Sequence, residues 1–145
     1  MIKQVTKILD AKICDEFLTE LILDEQKYDS TIDKDFKVSD YFPNIINNKE
    51  YYLLGYYIEN EIVGYILIKF VDQNNKICLI DGLYVKKEHR NKKIATSLVD
   101  EALKICNEKE YKHIDINVMY ENNIAKKLYK KFGFEEFKVN LRKNL

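Results

Sequence analysis

The stretch ICLIDGLYVKKEHRNKKIATSLVDEALKIC, residues 77–106, runs through three patterns in succession. Ile77–Val85 is apolar on both faces, which predicts a central buried strand. Lys86–Lys93 is a basic turn with five basic residues and one Glu. Ile94, Leu98, Ala102 and Ile105 then recur at helical spacing, with Ala95, Val99 and Cys106 alongside. A strand that feeds a turn and a helix leaves unpaired N–H groups at the helix start, and the helix dipole favours negative charge there. Arg90, Lys92 and Lys93 add positive charge at that point. The segment therefore reads either as an anion site or as an ordinary solvated connection.

Downstream, Lys112–Val118 predicts another strand. The helix between it and Ile77–Val85 implies a parallel crossover. Asn122 is placed to cap a helix through Phe132, and Gly133 suits its C-terminal stop. Phe134–Phe137 and Val139–Leu141 read as a terminal hairpin. Upstream, Ile77–Val85 follows two further strands, Tyr51–Ile58 and Ile62–Phe70, joined by a tight turn at Glu59-Asn60-Glu61. Asp72–Lys76 is a second turn, so these strands form an antiparallel meander. Ile2–Thr6 reads as an edge strand. Asp10 is expected to cap a helix through about Gln26 with Ile13, Phe17, Leu18 and Leu21 inward. Tyr28–Lys37 reads as a loop, and Ser39 as the cap of a short helix containing Tyr41 and Phe42.

The 145 residues suit one domain over 1–145 with one core. Lys and Arg total 24, as do Asp and Glu, so the formal net charge is zero. That argues against a general nucleic-acid binder. Charge is nevertheless uneven. Asp15–Asp40 holds nine acidic residues and three Lys, which suits either a cationic ligand or a solvated face. Cys14, Cys78 and Cys106 show no metal-ligand spacing, so no metal is expected; they read as reduced thiols of a cytoplasmic protein. Met1–Asp10 lacks the apolar run of a signal peptide, and no stretch approaches the ~18 apolar residues of a membrane span. No GxxxxGK[ST] phosphate loop is present.

LYVKKEHRNKKIATSLVDEAL resembles the cofactor motif of the GNAT N-acetyltransferase family, whose turn reads Q/R-x-x-G-x-G/A. Arg90 matches the first position and Ala95 the last, while Lys93 and Asn91 stand where Gly is frequent. Lys93 fits such a turn only if its φ is negative, or else binding is weakened. NNIAKKLYKKFGF is similar to the family's N-x-x-A-x-x-x-Y-x-x-x-G-F at Asn122, Ala125, Tyr129, Gly133 and Phe134. The resemblance implies an α/β (α+β) fold with a mixed, mostly antiparallel sheet of about seven strands, splayed at the cofactor site, and about four flanking helices.

It also implies acetyl-coenzyme A as cosubstrate, with pyrophosphate on the amides of Asn91, Lys92, Lys93, Ile94, Ala95 and Thr96. Leu83, Tyr84 and Val85 would meet the pantetheine arm and the thioester carbonyl, with Gly82 at a bulge. Asn122, Ala125 and Tyr129 would line the cofactor. Tyr129 matches the general acid. Asp81 stands near the family's base, as a base through water, an ammonium holder or a structural group. His89 and His113 are assigned no catalytic part. The implied activity is N-acetylation of a small-molecule or peptide amine, by a monomer or homodimer without membrane or nucleic-acid partners. Two other readings stay open: a non-catalytic acyl-coenzyme A-binding module, and a toxin acetylating aminoacyl-tRNA, which zero net charge disfavours.

Overall fold

A computed structural model describes residues 1–145. β1 (Ile2–Gln4) leads into α1 (Ile8–Glu25) and α2 (Tyr41–Ile45). β2 (Tyr51–Ile58), β3 (Glu61–Asp72) and β4 (Ile77–Val85) follow, and then a 3-10 turn at Lys87–His89. α3 (Ile94–Glu108), β5 (His113–Ile116) and α4 (Asn123–Lys131) complete the order.

The strands form one sheet in the order β1-β2-β3-β4-β5. The first four are antiparallel to their neighbours, and β5 runs parallel to β4. Five strands are present where about seven were expected. The difference lies in Phe134–Leu145, which forms no strand. Its alternating residues have no paired neighbour, so the pattern alone does not make a hairpin.

Two apolar layers enclose the sheet. On one face Ile66, Ile68, Ile80 and Val85 pack with Leu98, Val99 and Ala102 of α3 and Tyr129 of α4. On the other, Leu53, Tyr65, Leu67 and Tyr84 pack with Ala11, Cys14 and Phe17 of α1 and Phe42 of α2. The turn between β2 and β3 is a two-residue hairpin with Glu59 at φ 50° and Asn60 at φ 68°, the doubly left-handed loop that matches strand twist.

Two expected caps differ. α1 starts before Asp10, after Lys7, and Asp10 instead accepts the Tyr57 hydroxyl at 2.9 Å. α2 starts after Asp40, itself left-handed at φ 58°, rather than after Ser39. Its Phe42 amide donates to the Asp15 carboxylate at 2.8 Å, so a distant side chain does the capping. Pro43 lies in the first turn, where a missing N–H costs nothing.

Candidate functional site

The sheet opens at one place. β4 and β5 pair from Ile77↔His113 to Ile80↔Ile116 and no further, while β4 continues to Val85 against β3. A bulge sits at the divergence: Ile68 faces Ile80 but Ile66 faces Leu83. Asp81 and Gly82 thus share the single partner Leu67. Gly82 has φ 142°, and a Cβ there would lie 3.0 Å from the Tyr65 hydroxyl.

The bulge also flips side-chain parity. Cys78 and Ile80 face the α3 layer before it, and Val85 faces the same layer after it. Lys86 N donates to Val63 O at 2.9 Å. The alternation of an antiparallel ladder then turns the backbone of Tyr84 to β3 and those of Leu83 and Val85 to the gap. Val85 O accepts from Arg90 Nε at 2.8 Å, consistent with that orientation. The Tyr84 side chain is buried on the α1 face. Its hydroxyl bonds the Glu20 carboxylate.

At the end of β4 the chain enters the basic turn. Asn91 and Lys93 have φ 63° and 62°. The left-handed turn is therefore retained with Lys93 in it, and the negative-φ alternative does not hold. No side chain caps α3, whose first intrahelical bond is Ser97 N to Lys93 O at 3.0 Å. The N–H groups of Asn91 through Thr96 donate to no protein acceptor. They form a donor concavity at the positive end of a 15-residue helix. Arg90 lies over the Tyr84 ring at 5.3 Å and reaches Asp24 at 4.0 Å.

α4 sits on the α3 side. Asn122 caps it, its side chain accepting from Ala125 N at 3.1 Å. Gly133, at φ 88°, ends it in a paired closure: Phe134 N bonds Tyr129 O at 3.1 Å and Gly133 N bonds Lys130 O at 3.0 Å. Tyr129 is buried, with Phe134 edge-on at 5.5 Å. Its hydroxyl has no hydrogen bond to protein, and burial pushes its ionisation well above the usual phenol range.

Asp81 belongs to the opposite face. Asp81 is exposed at the surface, yet the protein around it strips away some of its hydration and raises its carboxyl above the ordinary range, while nearby Lys69 pulls it back. Its charge is felt by Tyr41, pushed up to about 12 chiefly by burial. Tyr129 and Asp81 thus lie on opposite faces of the sheet. His89 ends the 3-10 turn, and His113 opens β5.

The acidic stretch is less uniform than its composition implied. Asp15 is buried as the α2 capping group. Asp29 is held by Arg142 at 2.8 Å. Glu16, Glu20 and Asp35 do line an open groove with Thr19 and Phe36. Sequence reasoning missed Glu20, Asp24 and Tyr65, whose contacts with Tyr84, Arg90 and Gly82 join segments far apart in the chain. No local pattern signals them.

A family model described as the acetyltransferase (GNAT) family matches residues 13–134. A Bacillus subtilis (strain 168) protein named "Putative ribosomal protein bS18-alanine N-acetyltransferase" is 26% identical over 104 residues, 72% of this chain and 66% of that protein. The L-amino acid N-acetyltransferase AaaT of Escherichia coli (strain K12) is 30% identical over 80 residues, 54% of this chain and 49% of that protein. The chain thus spans just under two thirds of one curated relative and about half of the other. Among solved structures, a mutant BH1408 protein from Bacillus halodurans superposes with TM-score 0.88 at 18% identity, covering 100% of this chain and 99% of that one. A ribosomal-protein-alanine N-acetyltransferase from Brucella melitensis biovar Abortus 2308 gives TM-score 0.72 at 17% identity, over 100% and 98%. At these identities the structural likenesses speak to the fold.

Proposed function

The chain belongs to the acetyltransferase (GNAT) family, and from that premise we propose that it moves an acetyl group from acetyl-coenzyme A to a primary amine of a small cationic molecule or a peptide. The observation that carries this reading is the row of unbonded N–H groups at Asn91–Thr96 beside the open edge of β4. The donors match a pyrophosphate in charge and geometry. The edge matches an extended, amide-bearing arm, which pairs with Leu83 and Val85 as an added strand would.

Acetyl-coenzyme A supplies the acyl group as a thioester. This chain's residues do the rest. The N–H groups of Asn91–Thr96 hold the pyrophosphate, with charge from Arg90, Lys92 and Lys93. Asn122 fixes the start of α4, which presents Ala125 and Tyr129 to the arm. The Leu83 N–H, turned to the gap, donates to the thioester carbonyl and stabilises the charge that develops there. Asp81 holds the incoming ammonium or takes its proton through water. As the amine nitrogen bonds directly to the carbonyl carbon and the C–S bond breaks, Tyr129 acts as general acid and gives its proton to the departing sulfur from the other face, so coenzyme A leaves as the thiol. Burial keeps the Tyr129 phenol protonated across the working pH range. The amine enters from the α1–α2 face, where Glu16, Glu20 and Asp35 favour a cation.

Calorimetry with coenzyme A tests the carrying observation. One molecule should bind per chain, more weakly as salt rises. Thiol release is then followed against polyamines, aminoglycosides and peptides. No binding heat would remove the cofactor assignment. Tight binding without turnover of any amine would remove the enzyme and leave a binding module.

A further inference from the structure

We propose that Tyr65 is a positioning residue for Asp81: when substrates bind, its hydroxyl donates a hydrogen bond to the Asp81 carboxylate and draws it from the surface onto the bulge, a role that rests on the part given to Asp81 above. An orphaned group carries the inference. The Tyr65 side chain is 0% exposed, and its hydroxyl has no hydrogen-bond partner. A buried polar group without a partner destabilises a fold. It is rare enough in folded proteins to require a reason.

The packing fixes where that hydroxyl sits. Phe42 meets the Tyr65 ring edge-on at 5.0 Å, and Phe17 stacks parallel to it at 6.5 Å. Held by both, the ring reaches along the sheet to β4, where its oxygen lies 3.0 Å from the place a Cβ of Gly82 would take. Asp81 precedes Gly82, shares the partner Leu67 with it, and lies on the Tyr65 face because Ile80 lies on the other. Tyr65 and Leu67 are two apart on β3, so Tyr65 and Asp81 are diagonal neighbours, a separation that an aromatic side chain spans. The Asp81 side chain is exposed and takes no part in the ion pairs of the chain. A donor without an acceptor thus lies beneath a carboxylate that depends on water. Substrates that exclude that water leave the carboxylate in need of a protein donor, and Tyr65 is beside it. Cys14 and Glu25 of α1 and Tyr41 of α2 also face the Tyr65 hydroxyl, and Lys69 of β3 faces Asp81. Of these, Glu25 is the one other carboxyl, and the test below separates it.

Tyr65→Phe in the full chain removes one oxygen and leaves the ring. Its thermal midpoint should equal or exceed that of the parent, because an orphan is lost, and coenzyme A should bind it as before. Turnover of an amine should fall about 10-fold or more at neutral pH. A hydrogen bond to the charged form holds a carboxyl's ionisation down. Its loss should therefore move the acid limb of kcat/KM to higher pH, and carboxyl-carbon NMR of Asp81 with coenzyme A bound should follow. Added to Asp81→Asn, Tyr65→Phe should lower turnover no further; added to Glu25→Gln, it should keep its full effect. A variant that melts lower than the parent overturns the proposal, because the hydroxyl then has a partner in the resting fold. So does an Asp81 titration that stays in place, or a further loss in the Asp81→Asn background. A parent that binds coenzyme A but transfers to no amine removes the acetyl-transfer reading alone, since the Asp81 titration needs no turnover and still decides the bond. A chain that binds no coenzyme A removes both.

Discussion

Lys93 shows how one residue accommodates a backbone that suits another. Its φ of 62° costs a non-glycine residue about 1 kcal/mol or more. Lys93→Gly should therefore raise stability by about 1 kcal/mol in urea unfolding. It should weaken coenzyme A at low salt through the lost charge, and the difference should shrink at high salt. Asp81 carries a second prediction. A carboxyl raised by partial loss of hydration holds its proton more tightly folded than unfolded. Its stabilising contribution is present at acid pH and lost as pH rises through the raised value. Because Asp81 is exposed and its charge is screened by solvent, Asp81→Asn should stabilise the fold only slightly at pH 7 and not at pH 3, while turnover falls. At Tyr129, replacement by Phe should slow acetyl transfer by about 100-fold or more and leave coenzyme A affinity within about twofold, since the ring packing stays. The rate should show no descending limb from this phenol up to about pH 10, because burial raises it above the ordinary value. Lys93, Asp81 and Tyr129 were all legible as candidates. What their sequence positions did not show was conformation and environment: a left-handed φ, a raised ionisation, and opposite faces of the sheet.

At the element scale, α4 was readable end to end because its signals are local. Asn122 and Ala125 are three positions apart, and Gly133 follows the last turn. Asn122→Ala should cost about 1 kcal/mol. Gly133→Ala should cost about the same from its φ of 88° alone, because a Cβ there meets nothing within 4 Å. Gly82→Ala should cost more, ~2–3 kcal/mol, since strain at φ 142° adds to the approach of Tyr65 at 3.0 Å. It should also disturb the bulge and so lower turnover, which thermal melts and kinetics together would register. The caps of α1 and α2 were misread for the opposite reason. Asp10 and Ser39 have the right chemistry, but the Asp10 oxygen is taken by Tyr57 from β2 and the donor of α2 by Asp15 from α1. Capping there is tertiary.

Across the whole molecule, β3 is paired on both edges and covered on both faces. Hydrogen exchange should be slowest at Ile66–Ile68, which are fully buried, and fastest in Phe134–Leu145. The sequence by itself determined the order of elements from β1 to α4, the meander, the parallel crossover, the αβ turn and the motif that names the family. All of these rest on spacing of a few residues, and side-chain period and turn chemistry act at that range. Tertiary structure alone decided where the sheet splits, which of Leu83, Tyr84 and Val85 turn to the gap, and which acids of Asp15–Asp40 are free. Those outcomes depend on register between strands and on partners up to 113 residues apart, as with Arg142 and Asp29. It also decided that the terminal alternation forms no hairpin, because period two makes a strand only when an edge is there to pair with it.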